Sequence, residues 1–118
     1  MAIHRGLERL TRRYGSPLYV YELSELRAAC RQLALALPVG STRYYSVKAN
    51  PHPRILSAMH AQGCQAEVSS RGELNAALGA GFPPAQCLYT GPGKTDEELR
   101  HAVTAGVIRY SDESLAEL

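Results

Sequence analysis

A repeat of about 21 residues constrains this chain more than any other feature of its sequence. From Thr42 onward a short apolar stretch gives way to a polar or glycine-rich turn, then to a helical pattern closing on glycine, and the unit recurs. The predicted strands end near Lys48, Ser69, Thr90 and Tyr110, at intervals of 21, 21 and 20 residues. That period leaves room for a strand, a helix of about eleven residues and two short loops. The closures Gln62-Gly63, Ala80-Gly81 and Ala105-Gly106 each precede the next strand, where a left-handed glycine ends a helix. Two helix starts, Ser70-Arg71-Gly72-Glu73 and Thr95-Asp96-Glu97-Glu98, carry the S/T-x-x-E pattern of a capping box. Strands alternating with helices predict parallel β joined by right-handed crossovers. Such a sheet needs helices on both faces or closure into a barrel. Residues 107–110 read as a fourth strand and 111–118 as the start of its helix. The expected class is therefore α/β, with the first three to four units of a (β/α)8 TIM-type barrel at 42–118. A small open α/β layer is the alternative.

The preceding segment, residues 1–41, reads as helix, strand, helix. Ile3, Leu7 and Leu10 share one face of a helix ended by Gly15, Leu18-Tyr19-Val20-Tyr21 has strand composition, and Ser24 opens a second helix. That helix carries Leu26, Ala29, Cys30, Leu33 and Leu37 on one face and is stopped by Pro38 and Gly40. With 118 residues, 45% of them hydrophobic, the chain amounts to one modest domain or part of one. Thirteen basic against 11 acidic residues leave a net charge of +2 and no broad basic field, which argues against nucleic acid as a partner. No apolar stretch approaches a membrane span of roughly 20 residues, and the arginine-rich N-terminus lacks the apolar centre of a signal peptide. A soluble, cytoplasmic protein is expected. Cys30, Cys64 and Cys87 are odd in number and lack ligand spacing, so they read as reduced core thiols, with no metal site expected. His52 alone of the four histidines falls near the first turn, where a solvent-facing helix-start role is expected.

In a parallel β/α array the turns after all strands share one rim. The first turn offers Lys48 and Asn50, the second Glu67, Ser69, Ser70 and Arg71, the third Thr90-Gly91-Pro92-Gly93-Lys94. A lysine at the end of the apolar and aromatic run 42–47 is expected to be partly desolvated, which favours the neutral amine and a Schiff-base role toward a carbonyl. The competing account is a lysine that reaches into water and pairs with Glu67, and spacing alone favours it. Lys94 is expected only to decorate its loop, Gly91-Pro92-Gly93 to form a tight turn, and Glu73 to be committed to its capping box.

The residues around Lys48, Tyr44-Tyr45-Ser46-Val47-Lys48-Ala49-Asn50-Pro51, resemble the Y-Y-A-V-K-A-N motif of the fold-type III pyridoxal-phosphate decarboxylases, the group of diaminopimelate, ornithine and arginine decarboxylases. Glu67-Val68-Ser69-Ser70-Arg71-Gly72-Glu73-Leu74 resembles that family's D-V-V-S-x-G-E-L segment, and Gly91 to Leu99 its G-x-x-K-x-x-x-E-L segment. Asp112 to Leu118 resembles its V-E-S-x-x-E-L. The resemblance implies that Lys48 forms the internal aldimine with pyridoxal 5'-phosphate, that Glu67 stands on the cofactor side with one methylene more than the family's usual Asp, and that Ser46 for Ala is a minor change. It further implies a small amino-acid substrate, a cytoplasmic homodimer, and a strand at 17–22 belonging to a separate β-domain. The ring-stacking histidine, glycine-rich phosphate loop and acidic partner of the pyridine nitrogen would lie C-terminal to this region. Residues 1–118 alone are thus expected to be an inactive N-terminal portion. Two alternatives remain at this level: an amino-acid racemase on the same barrel, and a non-catalytic truncated or regulatory homologue.

Overall fold

The structure, a computed structural model, describes residues 2–115. Helices α1 (Ala2–Tyr14) and α2 (Leu23–Ala36) precede an alternation of β1 (Tyr44–Ser46), α3 (Pro53–Ala61), β2 (Gln65–Val68), α4 (Arg71–Gly79), β3 (Cys87–Tyr89), α5 (Asp96–Ala105) and β4 (Arg109–Tyr110). The strands form one parallel sheet in the order β1-β2-β3-β4. Each strand lies beside its successor, as consecutive right-handed β/α units of a barrel wall require. The predicted repeat is therefore the architecture, shortened: β1 ends at Ser46, and Val47–Ala49 winds into a 3-10 turn. The expected fourth helix at 111–118 extends past the described residues.

Local chemistry explains the boundaries. Gly63, Gly81 and Gly106 take φ of 76°, 103° and 96°, the left-handed values that release a helix into the next strand at least steric cost. At α5 the capping box is complete: Thr95 Oγ1 accepts from the Glu98 N–H at 3.2 Å, and the Glu98 carboxylate accepts from the Thr95 N–H at 3.1 Å. At α4 only half of the expected box forms. Ser70 Oγ accepts from the Glu73 N–H, but the Glu73 carboxylate reaches one residue further back, to the Ser69 N–H at 2.9 Å.

The sheet has one covered face. Val47, Ala66, Val68, Cys87 and Tyr89 are all fully buried there against Leu56, Leu74, Ala77 and Ala102 of the three following helices. The period-2 alternation turns Tyr44, Ser46, Gln65, Glu67, Leu88 and Arg109 to the opposite face. No element among the described residues covers it. A parallel sheet normally buries both faces, so this polar face is the inner wall of the barrel.

In the N-terminal segment the expected strand is unpaired among the described residues. Leu18-Tyr19-Val20-Tyr21 has no strand partner among the described residues, and Tyr19 is 88% exposed. Strand composition without a partner backbone gives an unpaired connection, so the segment is helix, loop, helix. On α2, Leu26 and Cys30 are half-buried as expected, but Ala29 and Leu33 face solvent and no residue of the helix is fully buried. Its tie to the first unit is polar: Arg43 donates to the Cys30 carbonyl at 2.9 Å and to the Gln62 carbonyl at 2.7 Å.

Candidate active site

The turn that carries Lys48 is pinned on both sides. Val47 anchors it in the core with no exposed surface, and the Tyr45 hydroxyl donates to the Asn50 carbonyl at 3.2 Å across the turn. Asn50 Oδ1 then accepts from the His52 N–H at 3.0 Å, which sets the chain for α3. His52 is the N-cap of that helix, its Nδ1 accepting from the Arg54 N–H, so it plays the helix-start part expected of it. Between these fixed points Lys48 is exposed at the C-terminal rim of the sheet. The expected desolvation is not supplied by the described residues, which leave Lys48 exposed.

Glu67 occupies the inner wall one strand over. Its carboxylate accepts from the Thr90 hydroxyl at 2.8 Å. It is held below the usual glutamate range first by a hydrogen bond from the Ser46 hydroxyl, then by that from Thr90, and least by the charge of Lys48. It is therefore an ionised acceptor suspended between β1 and β3. The direct Lys48–Glu67 ion pair that spacing favoured is not formed among the described residues. Ser46, which the sequence suggested was a minor change, is the largest single influence on the carboxylate.

The other rim residues sort by what they touch. Glu73 orders the second turn through Ser69, taking its N–H and, at 3.3 Å, its hydroxyl. In the third turn Lys94 Nζ donates to the Gly91 carbonyl at 2.6 Å, so beyond decorating its loop, as expected, it ties the ends of the Gly91-Pro92-Gly93 turn together. Gly91 itself has φ 98°, and a Cβ there would meet Ser69 Cβ at 3.3 Å. Glycine lets the third turn pack directly on the second, which draws Thr90 toward Glu67. Arg71 stands outside the site, paired with Glu97 at 3.3 Å.

At the other end of the inner wall lies a network that the sequence did not announce. Arg109 Nη1 donates to the Tyr44 hydroxyl at 2.9 Å and to Gln65 Oε1 at 2.8 Å, tying β4 to β1 and β2. The alternation of strand positions was the available signal, since it puts all three on the lumen side. Among the described residues no group of histidine, cysteine, aspartate and glutamate can hold a metal, and no helix is long and apolar enough to cross a membrane.

The rim thus carries an exposed amine on a braced turn, with an anionic carboxylate on the neighbouring strand, and a primary amine can react with a carbonyl compound. Residues 23–118 match the family model of the pyridoxal-binding domain of pyridoxal-dependent decarboxylases. A diaminopimelate decarboxylase of Zymomonas mobilis is 37% identical over 116 residues, 95% of this chain and 28% of that protein. A 2-[(L-alanin-3-ylcarbamoyl)methyl]-2-hydroxybutanedioate decarboxylase of Staphylococcus aureus is 42% identical over 101 residues, 85% of this chain and 25% of that one. Among solved structures, diaminopimelate decarboxylase from Helicobacter pylori complexed with L-lysine superposes with a TM-score of 0.86 at 28% identity, covering 94% of this chain and 28% of that one. The chain thus spans about a quarter of the length of the curated relatives it matches.

Proposed function

The chain belongs to the pyridoxal-dependent decarboxylases, through their pyridoxal-binding domain, and from that premise we propose that the whole protein is a pyridoxal-phosphate-dependent amino-acid decarboxylase in which Lys48 holds the cofactor. The residues present fit that group. Its aldehyde requires a primary amine that is reachable yet fixed in place, and Lys48 is exposed on a turn held by buried Val47 and by the Tyr45–Asn50 hydrogen bond. When bound, the cofactor's pyridine ring supplies a sink for the electrons released as the substrate's carboxylate departs.

The chain's own residues do the rest. Lys48 Nζ would hold the cofactor by its aldehyde, and the same amine, exposed at the rim, would be placed to hold or deliver a proton beside the substrate. Glu67 presents a fixed negative charge on the inner wall, kept ionised by Ser46 and Thr90. The substrate is a small amino acid, and diaminopimelate is the leading member of the class because the relatives from Zymomonas mobilis and Pseudomonas aeruginosa carry that activity in their names. A homodimer, a cytoplasmic setting and a strand contributed by 17–22 to a separate β-domain belong to the same reading.

The observation that carries this reading is the position of Lys48 on a braced rim turn. Borohydride reduction of the full-length protein with its cofactor should fix a pyridoxyl group on Lys48, detected by peptide mass. A label on Lys94, or on no lysine of this region, would remove the assignment. Carbon dioxide release measured over a panel of amino acids, diaminopimelate included, then identifies the substrate.

A further inference from the structure

The carboxylate of a glutamate hangs on several side-chain torsions, and on a half-exposed sheet face it wanders unless its oxygens are fixed. Thr90, just past the end of β3, fixes one of those of Glu67. Its Oγ1 donates to Glu67 Oε1 at 2.8 Å and also reaches the Val68 carbonyl at 3.4 Å. Thr90 is itself anchored, its N–H donating to the Val68 carbonyl at 2.8 Å. The next residue, Gly91, seats the third turn on Ser69 of the second. Lys48 approaches from the other side. In the ladder Ser46 lies opposite Glu67, and the Val47–Ala49 turn that follows it packs on β2, the strand of Glu67. The other charged groups of the wall and rim are engaged elsewhere: Arg109, one place beyond Leu88, donates to Tyr44 and Gln65, Glu73 accepts at Ser69, and Lys94 donates to the Gly91 carbonyl.

We propose that Thr90 is a positioning residue, whose hydroxyl holds the Glu67 carboxylate as the fixed counter-charge of the nitrogen through which Lys48 carries the cofactor. This inference rests on the proposed attachment at Lys48 and assigns Glu67 a task beside it. The joining nitrogen is a cation when protonated, and a negative charge held nearby favours that form. A carboxylate left to turn into water would act through solvent and be screened. The proton matters because it draws electrons from the joined carbon and prepares that carbon for the substrate's amine. Glu67 is suited to the task, since hydrogen bonds from Ser46 and Thr90 keep it ionised below the usual glutamate range. Thr90 touches neither the amine nor the cofactor's place of attachment, so it acts only through Glu67.

The test follows the absorbance of pyridoxal phosphate bound to the full-length protein as the pH is raised, with no substrate present. Borohydride and peptide mass establish in each sample which lysine carries the cofactor. Glu67→Gln, which keeps an acceptor for Thr90 but loses the charge, should lower the protonation midpoint by about 1 pH unit. Thr90→Val, of the same shape and with the backbone bond to Val68 intact, should lower it by part of that amount. Thr90→Ser, which restores the donor, should return it to the value of the unaltered protein. Added to Glu67→Gln, Thr90→Val should cause no further shift, a dependence on the charge that a merely structural threonine would not show. Thr90→Ala should give the same fall as Thr90→Val, so that one decides if the other does not fold. With the label on Lys48, a midpoint that Thr90→Val leaves in place or raises, or lowers equally in both backgrounds, would overturn the positioning role alone. A label on another lysine of the unaltered protein would overturn that role together with the attachment at Lys48.

Discussion

The two faces of the single sheet obey different rules. On β2 and β3 the covered positions Ala66, Val68, Cys87 and Tyr89 have no exposed surface, while Gln65, Glu67 and Leu88 between them are half-exposed. The covered face is built by volume: apolar side chains fill the gap between strands and helices, and each position is graded by the space it occupies. The inner wall is built by hydrogen bonds, Glu67 to Thr90 toward the rim and Arg109 to Tyr44 and Gln65 at the far end. One face specifies the fold. The other holds polar groups in fixed positions at the end of the strands where Lys48 emerges.

The largest effect should come from crossing that division. Leu74, fully buried on α4, faces the covered side. Leu74→Ala should cost about 2–5 kcal/mol in denaturant unfolding of the full-length protein, through lost burial plus a cavity. Lys48→Ala, at an exposed rim position, should change stability by about 0.5 kcal/mol or less while abolishing cofactor attachment. If Lys48→Ala unfolds the protein instead, the lysine is structural and the division between the faces fails at its most important residue.

A smaller effect tests the covered face where it breaks its own rule. The Tyr89 hydroxyl is buried without a hydrogen-bond partner among the described residues, and burial pushes its pKa up to about 12. A phenol left in an apolar layer without a partner forfeits its hydration. Tyr89→Phe should therefore be neutral or stabilising by about 1 kcal/mol, read as an unchanged or raised Tm. A loss of stability would mean that the hydroxyl is engaged in the whole protein and that the face is not purely one of volume.

The covered face and the repeat were legible because periodicity encodes them. Alternating apolar positions, glycine closures and the Thr95–Glu98 capping box are local, and the chain reads them over a few residues. The segment 17–22 shows the complementary limit: composition announces a strand, but a ladder also needs a partner backbone, and among the described residues it has none. Lys48 was identifiable from its motif and its strand-end position. Its exposure on the 3-10 turn Val47–Ala49 was not, because burial is set by what the rest of the fold packs against a side chain. Glu73 slipped by one residue, capping Ser69 rather than Ser70, since a flexible carboxylate selects among N–H groups that only the folded turn presents. The Arg109 network and the Ser46 bond to Glu67 join residues on different strands, and register across a sheet is long-range information.

The finest test asks which neighbour governs Glu67. Its folded-state pKa lies below the ordinary range, so its hydrogen bonds contribute stability that is fully present above the unfolded value, about 4.3, and is lost as the pH falls through the lower folded one. Removing a cause should move the titration midpoint up toward the ordinary value, in the order of the causes. Ser46→Ala should move it most, Thr90→Val next, and Lys48→Ala least, as followed by carboxyl NMR of the full-length protein without cofactor. That order is the order of the causes that lower it: hydrogen bonds from Ser46 and Thr90 act on the carboxylate, whereas the exposed ammonium acts through solvent that screens it. If Lys48→Ala shifts the midpoint more than Ser46→Ala does, the lysine and the carboxylate are a true ion pair. The inner wall would then take its charge state from the rim, instead of presenting a carboxylate already ionised by its strand neighbours before anything binds.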